Sequence, residues 1–290
     1  MKFTEGYEYS FNGFVDYSSC FPSKEVLWII VGAALFFGIF ISVIPQIIKL
    51  ISKRTNYGLN PFFVCMTNFG HFVVLTNIIS LHTTDFIAIL QVPFYKAIPT
   101  YLTFMNAFIL WFAYHPVIYL NLLFFDKAHR KTEEPSKTRK ARFILCSLTI
   151  ILDIIFVTMI SILFGLGFAY GFQSSQVQYL GHVCGFVAMF VCIFQYFPQF
   201  ITTCILRDHG SLSLVMLGIQ FPGGFLNAFF MCFGQKEHWT SWLSTMAAAA
   251  QQMLLFILCL IFKVRNKIKR SSVQTGESII TERGEYEAIK

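Results

Sequence analysis

Charge is what this 290-residue chain has least of. Only 13% of its residues are Asp, Glu, Lys or Arg, against 56% that are hydrophobic, where soluble domains carry about 25% charged residues. With 35 Phe among them, a water-soluble fold would need an outsized core. No Cys pair has metal-ligand or redox spacing, and no Gly-rich phosphate loop or nucleophile–base cluster occurs. Metal-dependent and nucleotide-dependent enzymes are therefore not indicated, and neither a cofactor nor a metal is implied. No Asn-x-Ser/Thr sequon is present, and the first 21 residues lack the basic-then-apolar order of a cleaved signal peptide.

What is present is a series of long uncharged stretches, each able to cross a bilayer with about 20 apolar residues. Seven crossings are predicted at about 26–51, 58–80, 97–125, 142–170, 177–205, 212–234 and 239–262. The segment Asp85–Phe94 is apolar but too short to span, and it reads as interfacial or re-entrant. Of the eight Cys, seven fall in apolar runs and read as small buried hydrophobes. Cys20 lies before the first crossing, and a bridge from it to Cys232 would require both on the same non-cytosolic side.

The net charge of +7 sits in links and tail. Lys49, Lys53 and Arg54 follow crossing one, seven Lys and Arg between Lys127 and Arg142 follow crossing three, Arg207 follows crossing five, and five between Lys263 and Arg270 follow crossing seven. With seven crossings all four clusters fall on one side, which predicts a cytosolic C-terminus and a lumenal or extracellular N-terminus. Membrane topology thus accounts for the basicity, and no nucleic-acid partner is needed. The polar tail beyond about residue 271 reads as disordered.

The chain is internally duplicated. Pro45-Gln46 and Pro198-Gln199 lie 153 residues apart, and each is followed at the same distance by a Leu-polar dipeptide, Leu59-Asn60 and Leu212-Ser213. Arg54 falls on Arg207 and Gly32 on Gly185 at the same offset, without a gap. Each unit comprises three crossings. Because three crossings reverse orientation, a fourth between them is needed to set the units parallel.

On these motifs, over roughly residues 26–262, the chain resembles the PQ-loop family. That family includes lysosomal cystine and cationic amino-acid exporters and is related to the SWEET sugar transporters. The resemblance implies an all-α membrane protein in a 3+1+3 arrangement, two parallel three-helix bundles plus a linker helix. Its solute pathway would run between the bundles and work by alternating access. The corresponding divisions are 1–25 (non-cytosolic segment), 26–125 (first bundle), 126–141 (basic cytosolic loop), 142–170 (linker helix), 171–262 (second bundle) and 263–290 (cytosolic tail). One departure matters: residues 195–197 beside the second Pro-Gln are Gln, Tyr and Phe, whereas the proton-coupled cystine exporter carries acids there.

Candidate site residues follow from polarity at membrane depth. Pro45 and Pro198 each lack an N–H and free a carbonyl four residues back, so Pro45-Gln46 and Pro198-Gln199 read as hinges at a cytosolic mouth, with each Gln amide able to serve its own kink. Pro222-Gly223 marks a further bend. Asn68 and Gln220 lie at nearly matching depths in crossings two and six and are the preferred pocket pair, with Asn227, Asn106 and Tyr101 beside them. Asp153, His71, His115 and His182 are the candidates for proton coupling. Tyr286 and Ile289 fit a tyrosine-based sorting signal, which suggests a lysosomal, vacuolar or other endomembrane location. The partners implied are the lipid bilayer, a small-molecule solute and protons; oligomeric state is left open. The leading reading is a carrier of amino acids or similar metabolites. The rival is a receptor or scaffold on the same architecture, as in the KDEL receptor. A G-protein-coupled receptor is disfavoured by the duplication and by the lack of DRY-like and NPxxY-like elements. A membrane enzyme is disfavoured by the lack of a catalytic cluster.

Overall fold

A computed structural model describes residues 26–83, 94–125, 135–172 and 174–288. The elements are α1 (Val26–Lys53), α2 (Pro61–Leu81), α3 (Phe94–Leu123), α4 (Pro135–Tyr170), α5 (Ser175–Phe194), α6 (Phe197–Leu206), α7 (Leu214–Phe229), a π-helical turn (Phe230–Gln235) and α8 (Trp239–Ala288). The protein is all-helical among the described residues, and seven of its helical runs are long and apolar enough to cross a membrane. The fifth run is α5 with α6, and the sixth is α7 with the π turn.

Each repeat opens its second helix with a side-chain cap. Asn60 Oδ1 accepts from the Phe62 and Phe63 amides at the start of α2, with Pro61 at the first turn where no N–H is needed. Ser213 Oγ accepts from the Met216 amide at the start of α7. The polar member of each Leu-polar dipeptide is thus a helix cap. The Leu beside it, Leu59 or Leu212, is buried in the main core.

The two prolines of the duplicated motif act differently. Pro45 sits inside an unbroken α1. Pro198 starts a new helix, because α5 stops at Phe194 and α6 begins at Phe197. Carbonyls at that break are covered by α8, whose Gln251 Nε2 donates to the Cys192 and Ile193 oxygens at 2.8 and 3.1 Å. The expectation that each motif Gln would serve its own kink is wrong: Gln251 covers the carbonyls just before the break, and the Gln46 and Gln199 side chains are bonded to the opposite half. The tail also departs from expectation. Helix α8 continues through the polar segment to Ala288 instead of becoming disordered after 271. That segment holds two Gly, no Pro and many good helix formers, and an established helix propagates easily through such residues. Likewise α4 starts at Pro135, inside the stretch expected to be loop. Residues 1–25, with Cys20, and most of Asp85–Phe94 lie outside the described residues, and Cys232 is a free thiol.

Neighbour relations repeat between the halves. Helix α3 packs on both α1 and α2, and α8 packs on both α7 and α5. Across the halves α2 packs on α5 and α1 on α7, so repeat-equivalent helices have equivalent neighbours. Helix α4 rests mainly on α2 and turns a long row of Phe, Ile and Val outward, as a lipid-facing helix does.

Two glycines let the halves approach. A Cβ on Gly32 would meet Phe230 Cζ at 2.8 Å, and a Cβ on Gly185 would meet Asn77 Nδ2 at 2.9 Å and Thr240 Oγ1 at 2.8 Å. Gly32 and Gly185 are repeat equivalents, and so are Asn77 and Phe230. The Asn77 amide is committed in place, donating to the Gly181 carbonyl at 2.7 Å and accepting from Ser241 Oγ at 2.8 Å. Gly185→Ala is expected to destabilise the protein by about 1–3 kcal/mol through overpacking. Gly165→Ala, where an added methyl meets nothing within 4 Å, is expected to be neutral or stabilising. Thermal melts in detergent compare the two; equal midpoints would show that the contact tolerates the methyl.

Candidate functional site

A cavity of about 260 Å³ lies between the halves, lined by residues of α1, α2, α3, α5, α7 and α8 with Met231 of the π turn. Its walls follow the duplication. Five lining pairs are separated by the same 153 residues: Ile39 and Cys192, Ser42 and Gln195, His71 and Gly224, Val74 and Asn227, Ile78 and Met231. The positions match, but the chemistry has diverged at three of them. A neutral polar network crosses one wall: Gln252 Nε2 donates to Tyr196 Oη and, at 3.5 Å, to Gln220 Oε1, and Gln220 Nε2 donates to Ser42 Oγ at 3.3 Å.

At one end, a reciprocal pair of glutamines clasps the halves together. Gln46 Nε2 donates to the Ser211 carbonyl at 3.1 Å, and Gln46 Oε1 accepts from the Ser213 amide at 2.7 Å. The equivalent Gln199 Nε2 donates to the Gly58 carbonyl at 2.8 Å, and its Oε1 accepts from the Asn60 amide at 2.8 Å. Residues 58 and 60 are the repeat equivalents of 211 and 213. Each glutamine of one half therefore holds the loop and helix cap of the other, and both are at most 1% exposed. The loops can touch because of glycine. Gly58 and Gly210 both have positive φ, and a Cβ on Gly210 would fall 2.3 Å from the Tyr57 carbonyl. The Ser211 amide then donates to that carbonyl at 2.6 Å. Lys49 Nζ donates to the Leu212 carbonyl and Lys53 Nζ to that of Gly210.

The model of the PQ loop repeat matches this chain twice, over residues 27–86 and 180–240. The chain carries two PQ-loop repeats. A stretch of 92 residues is also 36% identical to an uncharacterized protein of Schizosaccharomyces pombe, covering 31% of this chain and 30% of that protein. The match thus spans under a third of that relative's length.

In this PQ-loop protein the predicted site residues separate into distinct places. Asn106, Gln220, Asn227, Gly223 and His71 line the cavity. Asn68 and Tyr101 do not: the preferred Asn68–Gln220 pair is split. Asn68 is fully buried and its Oδ1 lies 3.3 Å from His115 Nδ1, while the Tyr101 ring stands edge-on to Phe104. Gln46 and Gln199 form the clasp. Pro222 is carried within a continuous α7; a Cβ on the following Gly224 would meet Ala249 Cβ at 2.8 Å, so that glycine serves close helix packing.

Asp153 is outside the cavity. It belongs to a chain on the outer face of α4 and α3, where Tyr119 Oη donates to Asp153 Oδ2 at 3.1 Å and lies 3.2 Å from His115 Nε2. His182 sits at the end away from the clasp, its ring 5.1 Å from that of His238. Tyr286 lies on α8, and Ile289 lies beyond the described residues. Gln195, one of the amides that the sequence puts at membrane depth, is on the cavity wall, whereas sequence reasoning missed Ser42, Thr103 and Gln252 there. Ser42 was findable, since it sits four residues before Gln46 as Gln195 does before Gln199.

Losing a clasp glutamine leaves a buried amide and carbonyl unpartnered, at roughly 1–3 kcal/mol each. Gln46→Ala and Gln199→Ala are each expected to loosen the same end, read as faster modification of a single cysteine at Ser42 by a thiol reagent added from that side. Unchanged labelling in both variants would show that the clasp does not seal the cavity. At the opposite end, burial and then the facing His182 depress the His238 pKa below 6.5, with Glu237 opposing. An unfolded chain takes up that proton more readily, so stability falls as pH drops below about 6.5. His238→Gln is expected to flatten the melting midpoint between about pH 7 and 5, and an unchanged slope would remove His238 as its source.

Proposed function

We propose that this PQ-loop protein is a membrane carrier that moves a small polar solute through the central cavity by alternating access. The observation that carries the reading is the pairing of a cavity walled by repeat-equivalent residues with a clasp made of the same glutamine in each repeat. In this reading α1–α3 and α5–α8 form two parallel three-helix bundles and α4 is the linker. Opening exchanges the four glutamine bonds for contacts with water, while the glycine contacts at the far end remain. The basic links support a cytosolic clasp and an N-terminus in a lumen or outside, which suits a lysosomal, vacuolar or other endomembrane setting. The protein acts as a carrier and not as an enzyme. Among the predicted proton-coupling groups, His71 is the one on the cavity wall, so it is the one that a bound solute would meet directly.

The test is uptake of a panel of radiolabelled amino acids, amides and sugars into proteoliposomes. A carrier gives saturable flux of at least one solute above protein-free vesicles, reduced at least about tenfold by Gln46→Ala with Gln199→Ala. Binding without flux would favour the receptor reading, in which the same cavity holds a ligand while the clasp stays shut.

A further inference from the structure

The cavity carries more polar capacity than the protein itself uses. Asn106 has neither its Oδ1 nor its Nδ2 hydrogen-bonded, and Thr103 Oγ1, Gln195 Oε1 and His71 Nδ1 also lack partners. All four residues line the cavity. Asn106, Thr103 and Gln195 are 2%, 4% and 1% exposed, so bulk water does not satisfy them from outside. Buried polar groups are nearly always paired. Four residues of one cavity wall therefore hold polar atoms that the closed arrangement leaves unsatisfied, and a molecule bound among them would complete the hydrogen bonding as those side chains turn inward. Thr103 and Asn106 are three residues apart on α3 and share one face.

The same walls limit what that molecule can be. Among the described residues no Asp, Glu, Lys or Arg lines the cavity. Lys49, in the clasp, is committed to the Leu212 carbonyl, and Asp153 is on the outer face with Tyr119. A carboxylate, an ammonium or a zwitterion would lose its hydration here without gaining a counter-charge. Apart from His71, no aromatic ring among the described residues lines the cavity, which leaves no stacking platform there to hold a nucleobase or the face of a sugar ring. The remaining surface is aliphatic, with Leu35, Val74, Ile78, Leu110 and Met231 among its members. Asn106 offers a donor and an acceptor on one planar group, and the group that matches both at once is another amide.

We propose that the cavity selects an uncharged solute with an aliphatic body and a carboxamide or lactam group, whose N–H and C=O pair with the side-chain amide of Asn106. This rests on the reading of the cavity as a solute site.

Five-carbon probes that differ mainly in charge test it: valeramide and δ-valerolactam (neutral), valerate (anion), pentylamine (cation) and norvaline (zwitterion). Binding is measured by calorimetry on the full chain in lipid nanodiscs, up to about 10 mM ligand. The neutral amides are expected to bind at least about tenfold more tightly than the ionic probes. Asn106→Leu is expected to lose that binding while the ligand-free melting midpoint holds or rises, because an unpartnered polar group has been removed. If that variant does not fold, Thr103→Val and Asn106→Asp serve. The first should weaken amide binding, and the second should shift preference toward pentylamine. An ionic probe binding as tightly as the amides, amide binding unchanged in Asn106→Leu, or no amide binding overturns the proposal. Failure of the solute class and failure of the carrier reading separate in proteoliposomes. Norvaline flux without amide binding removes the class and leaves the carrier. Lactam bound but not transported leaves the class and removes the carrier.

Discussion

The fold closes on a pair of buried glutamines that look across to the opposite half. A primary amide buried away from water needs both a donor and an acceptor partner. Gln46 and Gln199 find theirs on backbone, in the turn that ends one loop and caps the next helix of the other repeat. That requirement fixes several other features. The receiving turn must present a carbonyl and, two residues later, an amide. The intervening Leu must be buried so that the turn lies flat on the core. Glycine must stand at Gly58 and Gly210, where the two turns touch. The fixed spacing from Pro-Gln to Leu-polar is the sequence record of this reciprocal contact. The partner lies in the other copy of the motif, which is why a single copy would have nothing to hold.

Once the two ends are joined this way, the cavity follows from the repeat. Equivalent helices must offer equivalent positions to a space on the axis between them, and five wall pairs keep the offset set by the glutamines. In the proposed carrier, function then depends on how the copies have diverged. Where α1 has Ser42, α5 has Gln195; where α2 has His71, α7 has Gly224; where α2 has Val74, α7 has Asn227. A perfectly symmetric lining would present the same group twice and hold a solute equally well in two orientations. Divergence at these three positions, together with Asn106 and Thr103 from α3, gives the wall a direction.

Much of this was legible in the sequence, but unevenly. The seven spans, the duplication and the importance of Gln46 and Gln199 follow from hydropathy and from one repeated spacing, because both are set by the bilayer thickness and by a local motif. Asn106, Gln220 and Asn227 could be marked as polar at membrane depth. Polarity alone does not say which side of a helix meets the axis, so Asn68 and Gln220 looked paired when Asn68 faces α3 and His115 instead. The partners of the motif glutamines were misjudged for a similar reason. A nearby freed carbonyl is visible in sequence, whereas a loop more than 130 residues away is not. The extension of α8 was missed because a polar composition was read as disorder, although Glu, Lys, Arg and Gln are also good helix formers when a helix already leads into them.

The clasp is made of neutral groups, and that choice bears on movement. Breaking a buried ion pair by separating its partners leaves uncompensated charge and costs about 3–5 kcal/mol, and four such pairs would lock the end shut. Amide-to-backbone bonds exchange with water at a net cost of about 0.5–1.5 kcal/mol each. Four of them specify the closed arrangement, yet in the proposed carrier they can be given up together against a modest solute-dependent gain. The two lysines beside the clasp fit the same logic. Lys49 and Lys53 donate to the carbonyls of Leu212 and Gly210, not to carboxylates, so opening leaves each with a charge that water can take over. Their repeat equivalents are Thr202 and Leu206, and the charge therefore reinforces only one of the two symmetric contacts. The Gln199 side instead gains Thr202 itself, whose hydroxyl accepts from Asn60 Nδ2 at 2.9 Å. The two halves of the clasp thus differ in what holds them beyond the glutamine. Two lysines reinforce one contact and a threonine hydroxyl the other, so the closed end has two unlike seams despite its symmetric plan.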